Sequence, residues 1–508
     1  MKKLVVIAVW FVLLSAANAT IIFRDGFEQK PWLVGDTWNG ETKLVNNDGI
    51  PRSGKKCVEL SATGDGNGSY GRCRQIINRK DLWGKSYKYT IYAKGNGKFR
   101  IGTILYSNKK DGKKTMDYSW MDNYIDLTEK YQEISFNVQT ADTDVYMISL
   151  LAEVQGKDSK VFLDDVALVE IKDPAVKLVS GQRHLIIPRR TPRPELRFQL
   201  SRNEKPFANE PMKLKTTDIL DVQTDANGTL LYPAGTVAEN EAGTIPVAAS
   251  HPASSSVAEA FVDVVSPEWF ATMDKMAKRI KLAKPLSILY IGDSLSDFDR
   301  GHNYVDKLDF FLNKYNPGKV DFYNYGVGGD YIERVLDRIS GNPRAIRKER
   351  YDGIFDTNYD LAFIFLGHND SKASSANDFK IALVPPEKQE KCYRALIAKL
   401  REKGIPRIVL ISPTSSNFEV CNKNSQKLAK RVHNRFGEPK HLEAFDAVLK
   451  KLAAELNVEY LDVYSPTRNH PDKPELFRAS DGVHLSTSGH RLMAEQLLQF
   501  MVAGQLSK

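Results

Sequence analysis

The sequence has no long run of lysine and arginine, no CxxC pair and no apolar stretch long enough to span a membrane, and each absence removes a class of function. Its 72 basic and 63 acidic residues are interspersed. The formal net charge of +9 therefore reads as a solubility feature with mild preference for anionic surfaces, not as a nucleic-acid tail. A spanning helix needs about 20 apolar residues. The one strongly apolar run, Leu4 to Leu14, is shorter, follows Lys2 and Lys3, and precedes the small-x-small site Ala17-Asn18-Ala19. Residues 1–19 thus read as a cleaved Sec signal peptide with Thr20 as the mature start, no stable membrane anchor, and a periplasmic or extracellular destination.

Cysteine is sparse. Cys57, Cys73, Cys392 and Cys421 are too widely spaced for a redox or zinc pattern. A Cys392–Cys421 disulfide is one expectation, because a helix opening and a following parallel strand end place both at one end of a sheet, and two buried thiols are the other. Nucleotide binding also lacks support. Gly66-Asn-Gly-Ser-Tyr-Gly71 matches GxGxxG with no helix after it, and Gly84-Lys85-Ser86 has Arg79 where a phosphate loop needs glycine.

What is present suits packed cores, with 42% hydrophobic and 27% charged residues. A single core stops growing near about 250–300 residues, so a chain of 508 predicts several domains. Residues 20–173 show short alternating runs, such as Tyr87-Lys-Tyr-Thr-Ile-Tyr92 and Glu133-Ile-Ser-Phe-Asn-Val138, between Gly, Asn and Asp turns, which predicts an all-β domain. Trp32, Trp38, Trp83 and Trp120 fall here, and none follows Pro285. Flat aromatic faces suit sugar rings, with core packing the alternative. Residues 174–265 are again β-rich, carry no recognisable chemistry and read as a spacer. From Ser266-Pro267, an N-cap with proline at the first helical position, strands alternate with amphipathic helices through residue 508. Leu286–Ile291, Val320–Tyr325, Leu361–Leu366, Arg407–Ile411 and Val458–Val463 are the predicted strands of a parallel sheet covered on both faces, whose function belongs at the strands' carboxyl ends.

Four blocks fall just past those ends: Gly292-Asp-Ser-Leu-Ser296, Asn324-Tyr-Gly-Val-Gly-Gly-Asp330, Gly367-His-Asn-Asp370 and Asp481-Gly-Val-His484. A serine hydroxyl needs an imidazole to take its proton, and the imidazole needs a carboxylate to hold its tautomer. Ser294, His484 and Asp481 are the residues for those roles, and residues three apart in a turn can meet. The amides of Ser294 and Gly329 and the side chain of Asn369 are the donors for a tetrahedral oxyanion. His368 reads either as a loop spacer or as a pocket wall, Asp293 and Asp370 as loop-holding acids, and His490 as a helix-surface residue. No catalytic cofactor is called for.

Those blocks, in that order, resemble the SGNH or GDSL hydrolase family over residues 285–503, which implies a flavodoxin-like α/β domain at 266–508 and assigns the triad and oxyanion roles to the same residues. The alpha/beta-hydrolase elbow GxSxG is absent, since Ser296 stands at its second glycine. The Gly-His-Asn-Asp form is similar to that of rhamnogalacturonan acetylesterases. Residues 20–173, through Asp25-Gly-Phe-Glu28 and Phe162-Leu-Asp-Asp-Val166, resemble jelly-roll carbohydrate-binding modules, which implies a structural calcium near Glu28, Asp164 and Asp165, with metal-free surface acids as the alternative. The Asp225-Ala-Asn-Gly228 turn before Thr229-Leu-Leu-Tyr232 resembles immunoglobulin-like spacers. The expectation is a secreted O-acetyl esterase acting on a polysaccharide, without nucleic-acid or nucleotide partners. The alternatives are a lipase, thioesterase or arylesterase with the same triad, and an inactive glycan-binding relative.

Overall fold

The computed structural model describes residues 20–33, 40–46, 50–62, 70–79, 81–109, 113–236, 243–297 and 302–504. The signal-peptide segment and Trp38 lie outside them. Among the described residues no helix is long and apolar enough to cross a membrane. The chain divides into two compact units, one of residues 1–183, 192–235 and 245–260, the other of 184–191, 236–244 and 261–508.

The second unit carries a five-stranded sheet in which every pairing is parallel: β1 (Leu286–Gly292), β2 (Val320–Asn324), β3 (Leu361–Phe365), β4 (Arg407–Ile411) and β5 (Glu459–Leu461), in the order β2-β1-β3-β4-β5. The strands read as continuous apolar runs because both faces are covered. Ile288 and Tyr290 face one side with Phe363, Phe365 and Val409, packed against α1 (Pro267–Ala277), α2 (Tyr304–Tyr315) and a C-terminal helix, Thr487–Ala503. Leu289 and Ile291 face the other with Ala362, Ile364 and Leu410, against α3 (Ile332–Ile339), α4 (Pro386–Glu402) and a helix at Pro439–Leu456. Ser266 caps α1 by accepting from the Trp269 amide, as its sequence predicts.

The predicted boundary at residue 266 falls inside this unit. Strand His184–Pro188 runs parallel to Phe261–Val265, and Ile186 and Val265 belong to the core beneath α1 and α2. The physical tie is a buried charge pair: Lys307 Nζ lies 2.6 Å from Asp263 Oδ2, and both side chains are buried. A buried ammonium without its carboxylate is costly, so Asp263 cannot be assigned to a separable spacer.

The first unit is β-rich. Two long strands, Ser86–Asn108 and Asp144–Glu170, pair antiparallel over most of their length. Strands Thr20–Asp25, Cys57–Ser61 and Tyr70–Asn78 add to the second, and Lys114–Trp120, Ile125–Asp126 and Gln132–Gln139 to the first. Gly95, at φ +133°, sits where an added Cβ would come 2.3 Å from the Lys160 carbonyl, so only glycine permits this crossing. A four-stranded antiparallel group built on Leu196–Arg202 follows.

The tryptophans of this unit divide between core and surface. Trp32 is 1% exposed, packed on Phe27 and donating to Asp25 Oδ2 at 3.2 Å, and Trp83 is 7% exposed. Core packing uses both, which leaves Trp120 as the one partly exposed tryptophan of the three described in this unit. It lies under the Arg72 and Arg100 guanidiniums, 4.8 and 4.4 Å from its ring. The acids assigned to calcium hold a loop. Asp164 accepts from the amides of Arg52, Ser53 and Asp165, Asp165 pairs with the Arg52 guanidinium, and Glu28 accepts from the amides of Lys55 and Lys56. These contacts tie residues 52–56 to Glu28, Asp164 and Asp165.

Candidate active site

The end of β1 turns sharply at Asp293-Ser294-Leu295. Asp293 Oδ1 accepts from the Leu295 amide at 3.0 Å, and the turn lifts Ser294 out of the sheet, half-buried. Ser296, at the place of the missing elbow glycine, is wholly buried with Oγ 2.6 Å from the Tyr304 hydroxyl, while Asn303 and Asn324 donate to its carbonyl. Gly326 is required opposite it, because a Cβ there would stand 2.8 Å from the Ser296 carbonyl carbon.

His484 Nε2 lies 2.9 Å from Ser294 Oγ, and its Nδ1 lies 3.0 Å from Asp481 Oδ2. Asp481 Oδ1 accepts from the amides of Val483 and His484 at 2.9 and 2.8 Å. Burial would raise this carboxyl, but the hydrogen bonds from the His484 ring and from the two amides outweigh it and bring the pKa to about 2. It is therefore an anion throughout the neutral range, as the partner of an imidazole must be.

The opposite wall comes from the ends of β2 and β3. Gly329, at φ +84°, and Asn369 border one cavity of about 380 Å³ with Ser294 and His484. The loop carrying Gly329 is tied down on several sides. Gly328 N donates to Asp297 Oδ2 at 2.7 Å, Arg350 bridges Asp297 and the Gly326 carbonyl, and Arg334 Nη1 donates to the Gly329 carbonyl at 3.1 Å. Arg347 Nη1 donates to the Gly328 carbonyl at 3.1 Å. That carbonyl belongs to the same peptide group as the Gly329 N–H, so the guanidinium polarises that amide. Asn369 Nδ2 lies 3.4 Å from Asp293 Oδ2, which orients the carboxamide.

Asp370 is fully buried and accepts from the Ile332 amide at 2.9 Å, joining the third block to α3. Burial, with the Asp293 charge adding, pushes its pKa up to about 7. His368 lines the cavity but is 2% exposed, and Nε2 lies 2.9 Å from Thr414 Oγ1. Burial holds it neutral with a pKa of about 3. His490 is not a surface residue. Its half-buried ring stacks on Tyr304 at 5.9 Å, and burial again depresses it to about 3. All four cysteines are free and buried, so Cys392 and Cys421 are not bridged. Cys421 instead directs its thiol to the Asp481 carbonyl at 3.3 Å.

Sequence reasoning missed the third wall. After β4 a short helix, α5 (Phe418–Gln426), capped by Asn417, leads into a segment ending in strand Asn434–Arg435, which pairs with Ala373–Ser374 after the third block. It brings Asn424, Leu428 and Phe436 to the cavity. The Asn417 cap was the one local signal.

Residues 290–492 match the model of the GDSL-like Lipase/Acylhydrolase family. No curated protein sequence matches the chain. Among solved structures, it is similar to a lipase/acylhydrolase from Enterococcus faecalis at 19% identity and TM-score 0.32, covering 44% of this chain and 98% of that one. It is similar to an acetyl xylan esterase from Geobacillus stearothermophilus at 18% identity and TM-score 0.32, covering 45% and 99%. A CBM22-1 xylan-binding domain from Paenibacillus barcinonensis matches at 13% identity and TM-score 0.23, covering 30% and 97%.

Proposed function

We propose that this chain, whose residues 290–492 carry the GDSL-like lipase/acylhydrolase domain, is an exported serine esterase that removes O-acyl groups, foremost acetyl, from a polysaccharide. The observation that carries the reading is the relay Ser294 Oγ, His484 Nε2, His484 Nδ1, Asp481 Oδ2, with both contacts within 3.0 Å.

In the acylation step His484 takes the Ser294 proton as Oγ attacks the ester carbonyl, and Asp481 stabilises the imidazolium. The Ser294 and Gly329 amides and Asn369 Nδ2 receive the negative oxygen. His484 then protonates the departing sugar hydroxyl, leaving an acyl-serine. Water enters, gives a proton to His484 as its oxygen attacks the acyl carbon, and His484 returns that proton to Ser294 Oγ as the C–Oγ bond breaks and the carboxylate leaves. The neighbouring cavity, with Phe436, Leu428 and Val483 among apolar walls and Asn424, Ser425 and Asn434 among polar ones, suits a sugar ring better than water alone. In the β-rich unit, Trp120 with Tyr124, Arg72 and Arg100 about the buried Glu153 is the surface we assign to glycan binding.

One observation favours a second reading. The cavity volume, about 380 Å³, exceeds what an acetyl methyl fills, so an acyl chain could lie along Leu428, Phe436 and Val483 in a lipase-like enzyme. Acetate release from O-acetylated polysaccharides, set against a chain-length series of 4-nitrophenyl esters, separates the two. The esterase reading itself fails if Ser294→Ala retains turnover on every substrate that the intact chain hydrolyses.

A further inference from the structure

Ester hydrolysis at Ser294 has no use for three ligand-type side chains of the second unit, and these three meet. His184 opens the strand His184–Pro188, while His302 and Asp306 stand at the start of α2. One ring nitrogen of each histidine and one carboxylate oxygen of Asp306 lie within 4.8 Å of one another. Among the described residues no other three His, Cys, Asp or Glu side chains gather in this way. The local chain explains the meeting. Asn303 caps α2, and its amide donates to Asp306 Oδ2 at 2.7 Å, which leaves Oδ1 for His184 Nε2 at 3.1 Å. His184 is paired with Phe261 on the neighbouring strand and stacks on its ring, and the His302 ring lies 5.0 Å from that of His184.

A plain ion pair between His184 and Asp306 would use one ring nitrogen and no more. Two further nitrogens stand beside it with nothing to bond: His184 Nδ1 and His302 Nε2 are buried without a hydrogen-bond partner among the described residues, and the His184 side chain is only 10% exposed. Burying a polar nitrogen unpaired is costly. Lys307 Nζ, 3.2 Å from His302 Nδ1, occupies the other nitrogen of that ring, so His302 presents Nε2. The Lys307 charge is itself offset by Asp263 Oδ2 at 2.6 Å, and Asp263 also meets Arg491 at 3.3 Å. Asp306 is therefore the carboxylate of this group left to face a cation. When His184 ligates through Nε2, its unpaired Nδ1 takes up the proton that Nε2 gives up, and His302 loses its Nε2 proton to solvent.

We propose that His184, His302 and Asp306 bind one zinc ion, which staples the strand His184–Pro188 to the start of α2. Two imidazoles and a carboxylate, with a water in the fourth position, make a tetrahedral zinc set. Bonds of about 2.0 Å set ligand-to-ligand edges of about 3.3 Å, close to the 3.1 Å between His184 Nε2 and Asp306 Oδ1. Calcium and magnesium take oxygen ligands, which two ring nitrogens do not supply. His302 and Asn303 also border a small hollow that reaches Ser294 and His484. The ion thus steadies the helix start beside the nucleophile and takes no part in the triad.

The untagged full chain, stripped with EDTA and dialysed, should take up one zinc per chain by equilibrium dialysis with elemental analysis. At zinc about a hundredfold above the dissociation constant, the melting temperature should rise by about 5–10 °C, and calcium at the same concentration should leave it unchanged. His184→Gln and His302→Gln should each weaken zinc binding at least about tenfold and remove most of the thermal shift. Each variant is checked for native circular dichroism, and either one, if folded, suffices. His484→Ala, which removes the one other histidine near the site that also meets a carboxylate, should still bind one zinc with the same shift. No zinc retained at that excess, equal uptake by the two glutamine variants, or loss of uptake in His484→Ala overturns the site. Uptake without a rise in melting temperature overturns the staple, and an equal rise with calcium overturns the assignment to zinc. None of these outcomes depends on whether the chain hydrolyses an ester.

Discussion

Replacing Asn369 with alanine separates a catalytic donor from a structural residue, because the structure makes its two contributions unequal. The side chain is 7% exposed, and among the described residues its one amide contact is the 3.4 Å approach to Asp293 Oδ2. That distance lies beyond the usual 2.7–3.2 Å range for N–H···O, and Asp293 keeps the Leu295 amide. The stability cost of Asn369→Ala should therefore be about 1 kcal/mol. If Nδ2 is aimed at an oxygen that becomes negative only during reaction, the barrier should rise by about 2.7–4 kcal/mol, or about 10²–10³ in kcat. KM should stay within about threefold, because the ground-state carbonyl does not need the donor. Steady-state kinetics on 4-nitrophenyl acetate, with urea unfolding of the same preparation, measures both quantities. A kcat within threefold of the original, or a loss confined to KM, would refute the oxyanion role.

Other outcomes follow from the same geometry. Ser294→Ala and His484→Ala should each remove most of the rate, with the double variant scarcely slower than either and Asp481→Asn retaining more, as single-substrate kinetics will show. Arg347→Ala should lower kcat about two- to fivefold, and Arg347→Lys less, if polarisation of the Gly329 amide matters; an unchanged kcat for the alanine variant removes that role. Asp370 contributes to pH-dependent stability. Its folded pKa, raised to about 7, favours the fold fully below the unfolded value near about 4 and loses that contribution as pH climbs to about 7. Asp370→Asn should flatten the decline in unfolding free energy between pH 4 and 8, by at most about 4 kcal/mol, and an unchanged slope contradicts this. Lys307→Met, which leaves the buried Asp263 with Arg491 at 3.3 Å and the Thr244 hydroxyl at 3.5 Å, should destabilise the second unit by about 3 kcal/mol by thermal or urea unfolding.

The sheet was legible because its strands are apolar on both faces, so Leu286–Ile291 and Leu361–Leu366 read as buried runs without any partner in view. The blocks that meet at the cavity were legible for a related reason: serine, glycine, asparagine and an Asp-x-x-His at consecutive strand ends are residue types that packing alone does not demand there. The third wall was not. Residues 412–437 have no apolar period, and α5 is held by the small buried side chains of Cys421 and Ser425 and by Asn417, which look like any polar loop. Tryptophan faces were equally hidden, since Trp32 and Trp120 sit in similar alternating contexts and only tertiary packing decides which is covered. The tie between Asp263 and the second unit was not legible, because Asp263 reads as the polar member of an alternating strand, whereas its partner Lys307 lies 44 positions later. His490 was read from helical spacing alone, which does not reveal that Tyr304 lies beneath it.

The central claim is that Ser294, activated by His484, attacks an ester carbonyl. Reaction with a fluorophosphonate, followed by intact-mass measurement and peptide mapping alongside residual hydrolysis of 4-nitrophenyl acetate, tests it most directly. The account predicts one phosphonyl group per chain, located on Ser294, with activity lost in proportion and labelling nearly abolished in His484→Ala. Full activity after stoichiometric labelling, or a label on any other residue that accompanies the loss, would contradict it.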